Sequence, residues 1–358
     1  MKINYKSVLN AYVDDQIPKL RTVNNTDLES MFEKFSPDEI IKESEMTATE
    51  LIETFRLSLI TESLTEQYSE TYLIGAKLHD ADWLRNYVLG FWEPDENGHA
   101  DPFKNILIDF GISQSTLDKE ISEAKESVQY STKHSSGLHP IALTTYGMIQ
   151  ECITDHWYEL QRDFFPSTSN TSKVISKVKG REALHTVQFR NLTAMQLEAD
   201  PSLFTEIIKA TINFEMPSSH IPTIVNLQEK TTGWIPRMNG DVTELLRRII
   251  DNISKTLEDN NKLGQLLVEY ATAGEKQFLR LVPNSVIKKA LASIKGGHGI
   301  IGEIVLEQLG LVSNESESPK NFQEDITYRL RKVIKRWITS TMEIEGFLNG
   351  QPTNTKFA

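Results

Sequence analysis

The chain has 358 residues, 39% hydrophobic and 25% charged, with a net charge of −12. That length can bury a sizeable core in one large domain or two smaller ones, and composition does not choose between them. No uninterrupted apolar stretch is long enough to insert into a bilayer, an acidic surface argues against nonspecific nucleic-acid binding, and the single cysteine, Cys152, excludes an intramolecular disulfide or a thiolate zinc cluster.

The N-terminal MKINYKSVLNAYVDDQ has neither the apolar core of a secretory signal nor the acid-poor, Arg-rich character of a transit peptide, so a cytoplasmic location is expected. Beyond it, apolar residues recur at three- and four-residue steps with almost no sustained alternation, which predicts an all-α protein. Turn and capping signals fall at Ser36-Pro37-Asp38, Ser135-Ser136-Gly137, Pro166-Ser167-Thr168-Ser169-Asn170, Asp200-Pro201 and Met216-Pro217. They leave four long helices between about Thr47 and Ala199. Residues 1–45 then form an N-terminal helical extension, 46–225 a four-helix bundle, and 226–358 a C-terminal helical region packed on it. In that last region, Asp241 with Glu244 resembles a capping box opening one helix, and a second helix is expected over residues 325–348. Gly296-Gly297-His298-Gly299 lacks the lysine and hydroxyl of a phosphate loop and predicts a turn. Residues 313–319, SNESESP, predict an exposed linker.

One pattern occurs twice: a glutamate followed, about a helix length later, by Glu-x-x-His. The first copy is Glu62 with Glu96 and His99, the second Glu151 with Glu182 and His185. Residues three apart share a helix face, so each Glu-x-x-His delivers a carboxylate and an imidazole to one point. Register supports this. Glu182 and His185 interrupt the apolar series Ile175, Val178, Phe189, Leu192, and Glu96 and His99 interrupt Val88, Trp92, Phe103, Ile106, Phe110. Ile52, Phe55 and Leu59 lead onto Glu62, and Met148 onto Glu151. Four buried carboxylates repel one another unless cations compensate them, and two divalent ions bring +4 against −4. Two Glu-x-x-His pairs with two single glutamates is the ligand set of di-iron carboxylate bundles. Oxygen-rich ligation with one nitrogen per metal favours iron or manganese.

These residues resemble the soluble acyl-[acyl carrier protein] desaturases. Asp95-Glu96-Asn97-Gly98-His99-Ala100-Asp101 is similar to that family's first motif, Ile60-Thr61-Glu62 and Ile149-Gln150-Glu151 to its single-glutamate segments, and Asp200-Pro201 and Met216-Pro217 to its later breaks. The resemblance covers roughly Glu53 to Pro222, with all six ligand positions matching. It implies a ferritin-like four-helix bundle, two iron ions, dioxygen as co-substrate and an external, ferredoxin-type electron donor. It further implies an acyl carrier protein partner, a homodimer, and a cis double bond introduced into a carried fatty-acyl chain. Thr154 matches a family threonine beside the oxygen-binding face, implying a catalytic proton role, although a threonine back-bonded to its own helix is the alternative. Hydroxylation of a carrier-tethered or small-molecule substrate, or metal binding without catalysis, are the other functional readings.

The chain departs from the family in three ways. Arg181 stands where the family has an aspartate that hydrogen-bonds a histidine ligand, so a carboxylate partner for one imidazole is missing or comes from elsewhere. Pro94 and Pro102, with Gly98 between them, should kink or open the first Glu-x-x-His helix. Nothing after about Asn226 aligns.

Among neighbouring residues, Glu66 competes with Glu62 by periodicity, Asp155 and His156 cannot both face the metals, and Cys152 fits a small core residue. Lys173, Lys177, Lys179 and Arg181, and the later Arg329, Arg331, Lys332, Lys335 and Arg336, are either docking patches for an acidic carrier or solvated helix faces.

Overall fold

Helices begin where side chains satisfy the orphan amides of a first turn. The computed structural model describes residues 5–128, 137–222 and 226–256, with Ala273, Gly274, Lys276, Gln277, Tyr328, Arg329, Lys332 and Arg336. The N-terminal region holds α1 (Tyr5–Gln16), α2 (Asn25–Glu29) and α3 (Pro37–Ile40). A reciprocal capping box between Thr47 and Glu50 then opens α4 (Ala48–Glu62). It is followed by α5 (Thr65–Leu78), α6 (Asp82–Tyr87), a π turn over Val88–Trp92, α7 (Glu93–Glu96), α8 (Ala100–Asp109) and α9 (Gln114–Ser127). The two longest helices come next. Pro140 occupies the first turn of α10 (Pro140–Arg162), and the Ser169 hydroxyl caps α11 (Asn170–Ala199). After them come α12 (Phe204–Ile212), α13 (Leu227–Arg237) and α14 (Val242–Lys255). The protein is all-α, with no strand among the described residues. No described helix is long and apolar enough to cross a membrane.

Only α10 and α11 are long and unbroken; the first two of the four expected helices are interrupted. Between α4 and α5 the Ser63 hydroxyl donates to Leu59 O and the Thr65 hydroxyl to Glu62 O, local bonds that compete with a straight helix. The other interruption lies inside the first Glu-x-x-His. His99 N donates to Glu96 O at 3.0 Å, Asn97 has φ −61° and ψ 120°, and Gly98 has φ 96°. This is a type II turn with glycine at its third position. Glu96 and His99 therefore converge through a turn and not through a shared helix face. A Cβ on Gly98 would also stand 2.9 Å from Val23 O. Gly98→Ala should cost about 2 kcal/mol or more of stability, read by denaturant unfolding.

The four segments are arranged so that one polar layer lies between two apolar ones. Along α4, Leu51, Phe55 and Leu59 belong to one core cluster; across Glu62, Leu64 and Tyr68 belong to another. Segment α6–α8 runs the opposite way, with Val88, Phe91 and Trp92 before the polar pair and Phe103 and Ile106 after it. Met148 and Ile149 precede Glu151 on α10, with Trp157 and Tyr158 beyond; on α11, Ile175 and Val178 precede Glu182, with Phe189 and Leu192 beyond. The order of clusters makes α4 antiparallel to α6–α8, and α10 antiparallel to α11, whose pairing is the most extensive among the described residues. It also makes α8 and α10 parallel, so the connection must return along the layer stack. Helix α9 does this, carrying Leu117 in the first cluster and Ala124 in the second.

Helix α14 packs on α10 and α11, where Arg248 pairs with Glu159 at 2.8 Å. Asp241 accepts from Thr243 N, but Glu244 turns to Arg247 and Arg248, so the expected capping box is only half formed. The turn at 296–299 and the linker at 313–319 lie outside the described residues. So does most of the helix over 325–348, of whose basic run only Arg329, Lys332 and Arg336 are described.

Candidate metal centre

Six side chains from the four segments meet in the polar layer. Glu62, Glu96, His99 and Glu182 each offer one ligand atom within 4.8 Å of the others, and so do Glu96, Glu151, Glu182 and His185. Glu96 and Glu182 belong to both groups. All six side chains are buried, His99 and His185 completely. The structure thus brings together every residue of the expected ligand set, and this Glu/His group can hold metal.

The polar atoms are aimed at shared points and not at one another. His99 Nδ1 stands 2.9 Å from oxygens of both Glu96 and Glu182, and His185 Nδ1 is 2.8 Å from Glu96 Oε1. Yet His99 Nδ1, His185 Nδ1, Glu96 Oε1 and Glu182 Oε1 are buried without a well-directed hydrogen bond. Buried polar atoms are seldom left so. Carboxylate oxygens and imidazole nitrogens converging in two overlapping groups fit a pair of divalent cations, and a cation in each group would satisfy these atoms together.

The titration behaviour points the same way. Burial and the charges of Glu182 and Glu96 push Glu62 well above the usual carboxylate range, and burial with Glu96 does the same to Glu151. Burial also works to raise Glu96, but the adjacent imidazoliums His99 and His185 outweigh it and hold Glu96 low. In Glu182, burial and Glu96 raise the value, while His99 and His185 more than reverse them. Burial would depress the imidazoles, but Glu96 with Glu182 drives His99 well up, and Glu96 with Asp95 does so for His185. Without metal the layer approaches neutrality by keeping protons on two imidazoles and two carboxylates.

Three residues that hold the ligands were not singled out for that role by sequence. Trp92 Nε1 donates to Glu151 Oε1 at 3.0 Å, and the Tyr158 hydroxyl donates to Glu62 Oε1. Asp95, completely buried, accepts from His185 Nε2 at 2.9 Å. Asp95 also accepts twice from Arg181, at 2.6 Å each, and from Arg21 N at 2.7 Å. The carboxylate partner that Arg181 seemed to displace therefore comes from the first motif, and Arg181 anchors it. The legible signal was Asp95 itself, an acidic residue directly before a candidate ligand in the Glu-Pro-Asp-Glu-Asn-Gly-His stretch. Trp92 was legible only as a core position, and Tyr158 lies two turns beyond Glu151.

Other expectations resolve individually. The Thr154 hydroxyl donates to Gln150 O and Glu151 O, at 3.0 and 3.1 Å, the back-bonded arrangement. Glu66 is exposed and outside the cluster. Asp155 pairs with Lys179 at 3.1 Å, and His156 is buried apart from the ligand groups. Burial pushes the Cys152 thiol up to about 12, as befits an inert core residue. Lys177 pairs with Asp27, Lys179 with Asp155 and Arg181 with Asp95, so three of the four clustered cations on α11 are turned to carboxylates of this chain. No family profile and no curated protein sequence matches the chain significantly, so it is metal binding alone that the chemistry of this buried layer supports.

Proposed function

We propose that the chain is an oxygen-dependent di-iron oxidase on a ferritin-like bundle, acting on a fatty-acyl chain carried by acyl carrier protein and introducing a cis double bond. The observation that supports a metal centre most directly is the set of buried, inward-facing ligand atoms left without directed hydrogen bonds. The choice of iron, of dioxygen and of an acyl substrate rests on the resemblance to the acyl carrier protein desaturases.

Glu62, Glu96, His99 and Glu182 would hold one iron, and Glu96, Glu151, Glu182 and His185 the other. When bound, the iron pair supplies dioxygen activation and two redox equivalents. The protein's part is positional. Trp92 and Tyr158 hold the two unshared carboxylates, Asp95 fixes the His185 ring, and the apolar layers above and below keep water from the polar one. In the proposal, a ferredoxin-type donor supplies electrons and the protein works as a homodimer.

Mass spectrometry of acyl carrier protein substrates after aerobic turnover with reductant tests the reaction. Loss of two hydrogens without added oxygen is the expected result. A hydroxylated product would replace desaturation by hydroxylation, and iron uptake with no product would leave a metal-binding protein.

A further inference from the structure

The two halves of the polar layer are alike in their carboxylates but differ behind their imidazoles. Each metal position has two shared carboxylates, Glu96 and Glu182, and one unshared carboxylate fixed by one aromatic donor: Tyr158 on Glu62, Trp92 on Glu151. The imidazoles differ. On the side away from the cluster, His185 Nε2 donates to Asp95, and Asp95 is itself clamped by both nitrogens of the Arg181 fork and by Arg21 N. Arg181 is held in turn by Lys19 O at 3.1 Å and lies over the Phe91 ring, which packs T-shaped against the His185 ring. His99 is just as buried, but its Nε2 has no hydrogen-bond partner among the described residues.

An outer carboxylate fixes the tautomer and orientation of a ligating imidazole and makes it a stronger donor, and removing such a partner typically lowers metal affinity about 10–100-fold. Resting on the metal-centre reading above, we infer that the two positions are unequal: metal fills the Glu151–His185 position first and holds it, whereas the Glu62–His99 position binds more weakly and exchanges. Asp95 and Arg181 are positioning residues that create the difference. Because both glutamates of the shared pair serve either position, one bound ion still has a complete four-residue set around His185.

The test is calorimetric titration of Mn2+ into the metal-free full-length protein, with the crystal of wild type holding one equivalent of Mn2+ as a readout independent of any variant. Two binding steps separated by about 10–100-fold are expected, with anomalous scattering at the His185 position in the one-equivalent crystal. Asp95→Asn should weaken the tight step by a similar factor and leave the weak step in place, and Arg181→Gln should act in the same direction. His99→Ala should retain the tight step. Two indistinguishable steps, or first occupancy beside His99, would overturn the inequality while leaving a two-metal centre intact. Failure of wild type to bind Mn2+ at all would instead remove the metal-centre reading, and this inference with it.

Discussion

Replacing Glu96 or Glu182 with alanine should strip metal from both positions, whereas replacing Glu62 or Glu151 should remove it from one. The difference follows from membership: Glu96 and Glu182 contribute to both ligand groups, Glu62 and Glu151 to one each. Loss of a shared ligand should lower affinity by well over the roughly 100-fold expected of an outer partner. Metal content per chain, measured by mass spectrometry after desalting, should fall from two to none for the shared pair and from two to one for the others. Retention of two metals by Glu182→Ala would place the ligands elsewhere. Glu151→Gln is a useful companion, since a glutamine oxygen still accepts from Trp92 Nε1 and the neutral amide stands in for the protonated carboxyl that burial beside Glu96 favours without metal. Its metal-free form should be at least as stable as wild type, which separates loss of binding from loss of fold.

Metal should stabilise the protein more strongly as pH rises. In the metal-free layer His99, His185, Glu62 and Glu151 all have raised pKa values, so the folded chain binds more protons there than the unfolded chain does. Their contribution is fully present below the unfolded values, about 6.5 for histidine and about 4.3 for glutamate, and is lost as pH climbs through the folded ones. Glu96, Glu182 and Asp95 have lowered values and act in the opposite sense, but only in acid, where they gain protons. From about pH 6 upward the metal-free protein should therefore lose stability, by about 1.4 kcal/mol per pH unit for each excess proton. Metal needs the same ligands deprotonated, so its affinity rises over that range. Free ion at about 1,000 times Kd contributes about 4 kcal/mol per position, or roughly 10 °C in Tm. Scanning calorimetry with and without metal at pH 6 and pH 8.5 should show the gap widening with pH. Binding in weak buffer should release protons, because His99, His185, Glu62 and Glu151 hold theirs more tightly in the metal-free layer and must lose them to bind metal. A gap that narrows with pH would contradict the charge assignment of the layer.

Periodicity was enough to reveal the layer. Polar residues at Glu182 and His185 within the run Ile175, Val178, Phe189, Leu192 have no reason to be there unless they serve a purpose inside, and the structure buries them between two apolar clusters. The same logic picked out Glu96 and His99, which do enter the buried group, but by a different route. Convergence of Glu96 and His99 comes from a type II turn that Gly98 permits, and a three-residue spacing serves a turn as well as a helix. Pro94, Pro102 and Gly98 announced the break; they could not say that it would bring the ligands together.

What the amino-acid sequence determined by itself is the all-α class and the six inward-facing side chains of the candidate site, because each depends on spacing and residue type along one segment. What only the tertiary structure decided is which residues hold those side chains. Asp95 reaches His185 across 90 residues, Tyr158 reaches Glu62 across 96, and Trp92 reaches Glu151 across 59. Such pairings depend on how four segments are rotated and staggered against one another, which is settled by packing of whole faces and leaves no local trace. Arg181 shows the consequence: in the chain it looks like a lost carboxylate, and in the fold it clamps the one that replaced it.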